Sequence, residues 1–298
     1  MTITHHPEHP VDRAAMAPIR STLGSAKGSI DGPGARNAFD EIMAQVPAAS
    51  TVTYTAAIVG GVPGWWCRPD EALSAAAILY FHGGGYVVGT SRAYRNFVGQ
   101  IAVRAKAAAF VPDYGLAPEY PFPAAVEDAR TSYEGLAAEG FTNIALAGDS
   151  AGGGLALVLL SKVAAKGAAV ISAWTDLALA GESMATRAQD DPLSTPAQLA
   201  AMARLYLAGQ DPHDPLASPL YGDLAGLPPV RMHVGEDDVL LDDSVRYGER
   251  FARAGGTIQV HTWQGMTHVF PSNVALQAAK EALDDIGDFL NRQLLGDR

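Results

Sequence analysis

Residues Asn143-Ile144-Ala145-Leu146-Ala147-Gly148-Asp149-Ser150-Ala151-Gly152-Gly153-Gly154 pass from a continuous apolar run, through glycine, into a helical pattern. A run apolar on both faces is what a strand buried inside a parallel sheet requires. The G-x-S-x-G spacing from Gly148 to Gly152 suits a sharp strand-to-helix turn. Flanking glycines leave room for a chain that reverses over a strained serine. The Ser150 hydroxyl would then stand above the sheet edge. It would also sit at the start of a helix whose free N–H groups favour developing negative charge. A bare G-x-S-x-G also fits an ordinary glycine-rich turn, so its weight rests on what surrounds it.

Working outward, similar apolar runs recur at Val52–Val59, Trp65–Arg68, Ala75–Phe81, Ala107–Val111, Ala169–Trp174, Val230–Val234 and Ile258–Trp263. Helical patterns separate them at Phe97–Lys106, Ala124–Glu139, Ala151–Lys166 and Ser244–Ala254. The last helix repeats Ala279, Leu283, Ile286, Leu290 and Leu294 on one face, with Ser272 as candidate N-cap. Alternating strands and helices predict right-handed βαβ units and an α/β fold with a doubly wound, mainly parallel sheet. About fifty residues between Leu177 and Pro228 carry no strand pattern. A helix over Ala197–Leu207, capped by Ser194 or Thr195, makes this stretch a candidate lid over the carboxyl ends of the strands. The chain before Ser50 is polar and Ala/Gly-rich, with a short helical pattern at Asn37–Gln45.

The 298 residues are 48% hydrophobic, enough for a large core, and the formal net charge of −11 disfavours nucleic acid as a partner. Cys67 is the only cysteine, so neither an intrachain disulfide nor a cysteine-based zinc site can form. It reads as a small packed hydrophobe in a strand, consistent with a cytoplasmic location. Residues Met1–Pro10 lack the apolar stretch of a signal peptide, and no apolar run approaches the ~20 residues of a membrane span. His5, His6 and His9 read as a flexible terminus in preference to a metal site.

A second glycine run follows the strand pattern at Ala75–Phe81, in His82-Gly83-Gly84-Gly85-Tyr86. Acyl transfer places negative charge on a former carbonyl oxygen, and backbone N–H groups reach it best where no side chain intervenes. This run is a known companion of G-x-S-x-G. The oxyanion hole would comprise Gly83, Gly84, Gly85 and Ala151, with donors at Gly84, Gly85 and Ala151 and with Gly83 shaping the loop. His82 reads as a structural residue that holds the glycines. A phosphate loop is disfavoured, because no P-loop lysine or G-x-G-x-x-G follows. A base acting on Ser150 should come late in the chain, after the acid. His261 lies inside a strand pattern, whereas His268 lies in the loop beyond it, so His268 is the candidate base. The acid should follow Val230–Val234, where Glu236, Asp237, Asp238, Asp242 and Asp243 crowd one loop. Asp242 and Asp243 also suit a helix cap, and the loop lacks the spacing of a calcium site. Asp211-Pro212-His213-Asp214 reads as a turn.

Taken together, these motifs resemble the bacterial hormone-sensitive-lipase-like (family IV) esterases of the α/β-hydrolase fold, in the G-D-S-A-G branch. Asp113-Tyr114-Gly115-Leu116-Ala117-Pro118-Glu119 and Phe122-Pro123-Ala124-Ala125 strengthen the resemblance, which runs from about Thr51 to the C-terminus. Three positions depart from the family pattern: Gly115 replaces a common arginine, and Ala173 and Val239 replace prolines. The family's acid motif maps onto Gly235, Asp238, Leu240 and Asp242, which makes Asp238 the implied acid. The resemblance implies an eight-stranded sheet and a helical cap. The cap segments would be residues 1–50 and 181–212, and the catalytic domain residues 51–180 and 213–298. It also implies hydrolysis of short- to medium-chain acyl esters by Ser150, His268 and Asp238 without a cofactor or metal. A small-molecule ester would be the partner, and the family's habits allow a homodimer. Lactone hydrolysis, an amidase or deacetylase activity, and a non-catalytic ligand-binding role are the alternatives. Tyr86, Val87, Tyr206, Val269 and Phe270 are the expected pocket walls.

Overall fold

The computed structural model describes residues 1–296. The elements run β1 (Thr2–His6), α1 (Pro10–Ser25), α2 (Arg36–Met43), β2 (Val52–Val59), β3 (Val62–Pro69), β4 (Ala76–Phe81), α3 (Ser91–Ala105), β5 (Ala108–Pro112), α4 (Ala124–Ala138) and β6 (Asn143–Asp149). They continue as α5 (Ser150–Leu160), β7 (Ala168–Ile171), α6 (Ser183–Thr186), α7 (Pro196–Leu207), β8 (Val230–Gly235), α8 (Leu241–Arg253), β9 (Ile258–Trp263) and α9 (Gln277–Leu295). All nine strands form one sheet in the order β1-β9-β8-β7-β6-β4-β5-β3-β2. Only β2 with β3 and β3 with β5 pair antiparallel. The central strands β4, β7 and β8 are buried along their whole length and β6 along all but its first residue, Asn143, as strands covered by helices on both faces must be.

The sheet has nine strands where eight were expected. The extra one is the N-terminal segment, which the sequence presents as a loose, histidine-rich arm. Thr2–His6 instead pairs in parallel with Gln259–Trp263 of β9. The first expected cap segment, residues 1–50, therefore begins inside the sheet. The helix α1 was also not legible, because only Asp12 and Met16 of its sixteen residues are buried. The start of α9 is another correction. Ser272 does not cap it, and the helix begins five residues later. Its first N–H groups, at Gln277 and Ala278, donate instead to the two carboxylate oxygens of Asp12 in α1, each at 2.8 Å. Cys67 is fully buried in β3, and burial pushes its thiol pKa up, so it stays a thiol. No helix among the described residues is long and apolar enough to cross a membrane.

Candidate active site

The turn from β6 into α5 is as tight as the glycine spacing requires. Ser150 has φ +52°, in the left-handed region that a non-glycine residue rarely occupies. A Cβ on Gly148 would lie 2.4 Å from the carbonyl oxygen of Gly152, and one on Gly152 would lie 2.1 Å from that of Phe81. Neither position can hold a side chain without parting the helix from the strand ends beneath it. The N–H of Trp174, beyond β7, donates to the Ser150 carbonyl at 2.9 Å and holds the elbow from the other side.

The loop after β4 brings its glycines beside Ser150. Gly84 and Gly85 have φ of +111° and +61°, and both line the same cavity as Ser150. Among the described residues, the Gly83 amide is used differently from those of Gly84 and Gly85. The Gly84 and Gly85 amides meet no protein acceptor, whereas Gly83 donates to Asp149 Oδ1 at 3.1 Å. Gly83 thus shapes the loop and offers no free donor. The Ala151 N–H lies in the first turn of α5, where an α-helix supplies no acceptor. His82 is buried, stacks on Tyr114 with 4.4 Å between ring centroids, and bonds through Nδ1 to the Gly83 carbonyl at 2.7 Å.

Asp149 is a buried ionisable position beside the site that the sequence reading left without a role. Its carboxylate is buried and accepts hydrogen bonds from Tyr80 at 2.8 Å, Tyr94 at 3.0 Å and the Gly83 amide. Burial raises its pKa to about 6, against the lowering effect of these donors. The residue that precedes the serine therefore staples the glycine loop to the elbow. The available signal was the aspartate itself, an ionisable group written into a buried strand end.

The acid loop after β8 and the histidine loop after β9 pack directly together. A Cβ on Gly235 would stand 2.2 Å from the Met266 carbonyl oxygen, and the Asp237 amide donates to that oxygen at 3.1 Å. This brings His268 Nδ1 to 2.9 Å from Asp238 Oδ2, with Asp238 fully buried. The Val269 amide donates to Ser172 Oγ, at the end of β7, and fixes the histidine loop. Burial works against a charged imidazole at His268. The charge and hydrogen bond of Asp238 outweigh it, with Asp191 and Asp149 adding to them, and the pKa rises to about 9. Asp242 and Asp243 serve other contacts and do not cap α8. Asp242 accepts from the Ser183 amide, and Asp243 accepts from the amides of Thr175 and Asp176. His261 lies away from the cavity, against Arg231, His6 and the His233–Asp285 pair. His213 bonds to Asp211 in an exposed turn.

Ser150, His268, Gly84 and Gly85 open into one cavity of about 570 Å³. Its walls are apolar: Met16, Ile19 and Leu23 from α1, Ile42 and Met43 from α2, and Leu199 and Met202 from α7. Of the expected wall residues, Val269 and Phe270 line it. Tyr86, Val87 and Tyr206 do not. The loop turns back after Gly85, with the amides of Val87 and Val88 bonded to the Gly84 carbonyl, and this sends the side chains into the core. There Tyr86 stacks on Tyr206 with 3.8 Å between centroids. The walls contributed by α1 were missed because the helix itself was not legible.

A family model described as the α/β-hydrolase fold matches residues 78–272. The chain belongs to the α/β-hydrolase family. Within it, this hydrolase is 39% identical over 254 residues to an acetyl-hydrolase of Streptomyces hygroscopicus, across 82% of this chain and 83% of that protein. It is 32% identical over 264 residues to an esterase of Acinetobacter venetianus, across 85% and 87%. Among solved structures, an esterase of the bacterial hormone-sensitive lipase family superposes with a TM-score of 0.87 at 36% identity, covering 93% of this chain and 99% of that one. The hydrolase thus falls in the hormone-sensitive-lipase-like branch.

Proposed function

We propose that this hydrolase cleaves carboxylic esters of short to medium acyl chains, with Ser150 as nucleophile, His268 as base and Asp238 as orienting acid. One observation carries the reading. His268, held by the buried Asp238, lines a single cavity with Ser150 and with Gly84 and Gly85, whose amides are unpartnered among the described residues. Nδ1–H donates to Asp238, which keeps that proton on Nδ1 and leaves Nε2 as the basic nitrogen. His268 removes the Ser150 proton as Oγ attacks the ester carbonyl, and the amides of Gly84, Gly85 and Ala151 receive the oxyanion. The tetrahedral intermediate collapses, His268 protonates the departing alcohol, and an acyl-enzyme remains. Water then adds to the acyl carbonyl with His268 again as base, and the acid leaves as Ser150 regains its proton. The scheme needs no cofactor.

The apolar walls supply binding energy for an acyl or alcohol chain, at roughly 25 cal/mol per Å² of surface removed from water. Two cap segments would contribute those walls: the part of residues 1–50 that follows β1, and residues 181–212. The test is p-nitrophenyl butyrate hydrolysis by Ser150→Ala. The variant should keep the circular dichroism and melting behaviour of the parent and lose the activity and fluorophosphonate labelling. Full activity in the folded variant would end the proposal.

A further inference from the structure

The segment between α6 and α7 meets the acid loop at one buried carboxylate that the mechanism leaves unused. Asp191 is 0% exposed. Its Oδ1 accepts the amides of Leu193 and Ser194, each at 2.8 Å, and its Oδ2 accepts the amide of Val239 at 3.1 Å. Val239 directly follows Asp238. All three partners are donors, so this setting satisfies the ionised carboxylate.

We propose that Asp191 is a positioning residue for the reaction, fastening the Asp238 loop to the segment beside the cavity and setting a second negative charge near His268. The inference rests on His268 acting as base with Asp238. The acidic groups that act on the His268 imidazole are Asp238, Asp191 and Asp149. Those that act on Asp191 are Asp238 and His268, and burial together with Asp238 raises the Asp191 pKa. The nearby cations are engaged elsewhere. Arg20 of α1 pairs with Asp237 and donates to the carbonyls of Gly265 and Asp190, and Arg187 faces Asp190. The carboxylates of Asp191 and Asp238 therefore act together on one imidazole.

Two consequences separate this role from plain support. A base must be neutral to accept the serine proton, and a second carboxylate raises the pH at which the imidazole becomes neutral. Removing the charge at residue 191 should move the acid limb of the kcat/KM profile to lower pH. Removing the acceptor for the Val239 amide should also loosen Asp238, which lowers kcat more than it raises KM.

The experiment measures kcat and KM for p-nitrophenyl butyrate from about pH 6 to about pH 10. It compares the parent with Asp191→Asn, Asp191→Ser and Asp190→Asn. Asparagine and serine each keep an acceptor for the Leu193 and Ser194 amides. In both Asp191 variants the acid limb should fall by about one pH unit. kcat should drop about tenfold, with KM within about twofold. Asp190→Asn, which removes a half-exposed carboxylate facing Arg187, should overlay the parent. An unmoved limb in either folded Asp191 variant overturns the proposal, as does an equal shift in Asp190→Asn. Failure of both Asp191 variants to fold also overturns it, by making the residue a structural one. Activity surviving in Ser150→Ala sinks the catalytic reading instead, whereas an unmoved limb beside an inactive Ser150→Ala removes only Asp191.

Discussion

At the residue scale, the site depends on backbone positions that tolerate one residue type and on carboxylates with separate duties. Ser150 occupies a left-handed conformation because the glycines on either side let strand and helix approach within carbonyl contact. Asp149 then ties the elbow to the glycine loop through Tyr80, Tyr94 and the Gly83 amide. Asp149→Ala would leave these three donors buried without an acceptor. The expected loss of stability is about 3 kcal/mol or more, read by urea unfolding, because each stranded group costs about 1–3 kcal/mol. The freed loop should also lower kcat by about a hundredfold, the cost of one misplaced oxyanion donor. A variant with parental stability would show that Asp149 does not staple the loop.

At the element scale, the chain joins distant pieces where local sequence offers no cap. The helix α9 carries a readable apolar stripe, yet Leu276 at its N-cap provides no side-chain acceptor. Asp12, from the far end of the chain, takes both leading amides while itself 2% exposed. Asp12→Ala should cost about 1–2 kcal/mol, in the upper range for a lost N-cap. It should also loosen α1, which forms a wall of the cavity, so KM should rise more than kcat falls. Equal denaturation midpoints for variant and parent would refute the cap. By contrast, α7 begins where its sequence says it should. Thr195 accepts from the Gln198 amide, and the Gln198 side chain returns to the Thr195 amide, a capping box closed within four residues.

At the scale of the whole molecule, the N-terminal strand closes the sheet through a cluster of histidines. His6 Nε2 meets His261 Nδ1 at 2.9 Å, His233 bonds to Asp285 at 2.9 Å, and His6 stacks on Trp263. Burial lowers the pKa of His6 and of His233, and burial together with His233 lowers that of His261 to about 3. The fold therefore holds these rings neutral. An imidazole with a depressed pKa contributes stability that is present above its unfolded value, about 6.5, and lost as pH falls below it. Asp149, with its raised pKa of about 6, works in the opposite sense, as do Asp191, Asp237 and Asp243, whose pKa values burial raises, and His268, whose pKa Asp238 raises. The histidine cluster's own share of the stability should fall from about pH 7 to about pH 5. Measured by melting temperature, His261→Gln should lose less over that interval than the parent. Parallel pH dependences for variant and parent would remove the cluster as the cause.

How much of this was written in the sequence follows the range of each interaction. The strand spacing, the parallel character of the sheet, the elbow at Ser150 and the glycine loop at Gly84 and Gly85 are set by side-chain periodicity and by backbone sterics over a few residues. These act locally, so they can be read without the fold. The strand Thr2–His6 and the helix Pro10–Ser25 could not be, since each buries few of its own residues and gains its partner only from β9 or α9. Similarly, five carboxylates crowd the loop after Gly235, and local chemistry does not distinguish them. Only the packing of Gly235 against Met266 brings Asp238 to His268 while Asp242 and Asp243 turn to other loops. The chain's own pattern determined the sheet and the strand-to-helix elbow at Ser150. Tertiary structure decided which acid faces the imidazole, because a hydrogen bond between residues thirty apart exists only once their two loops are packed together.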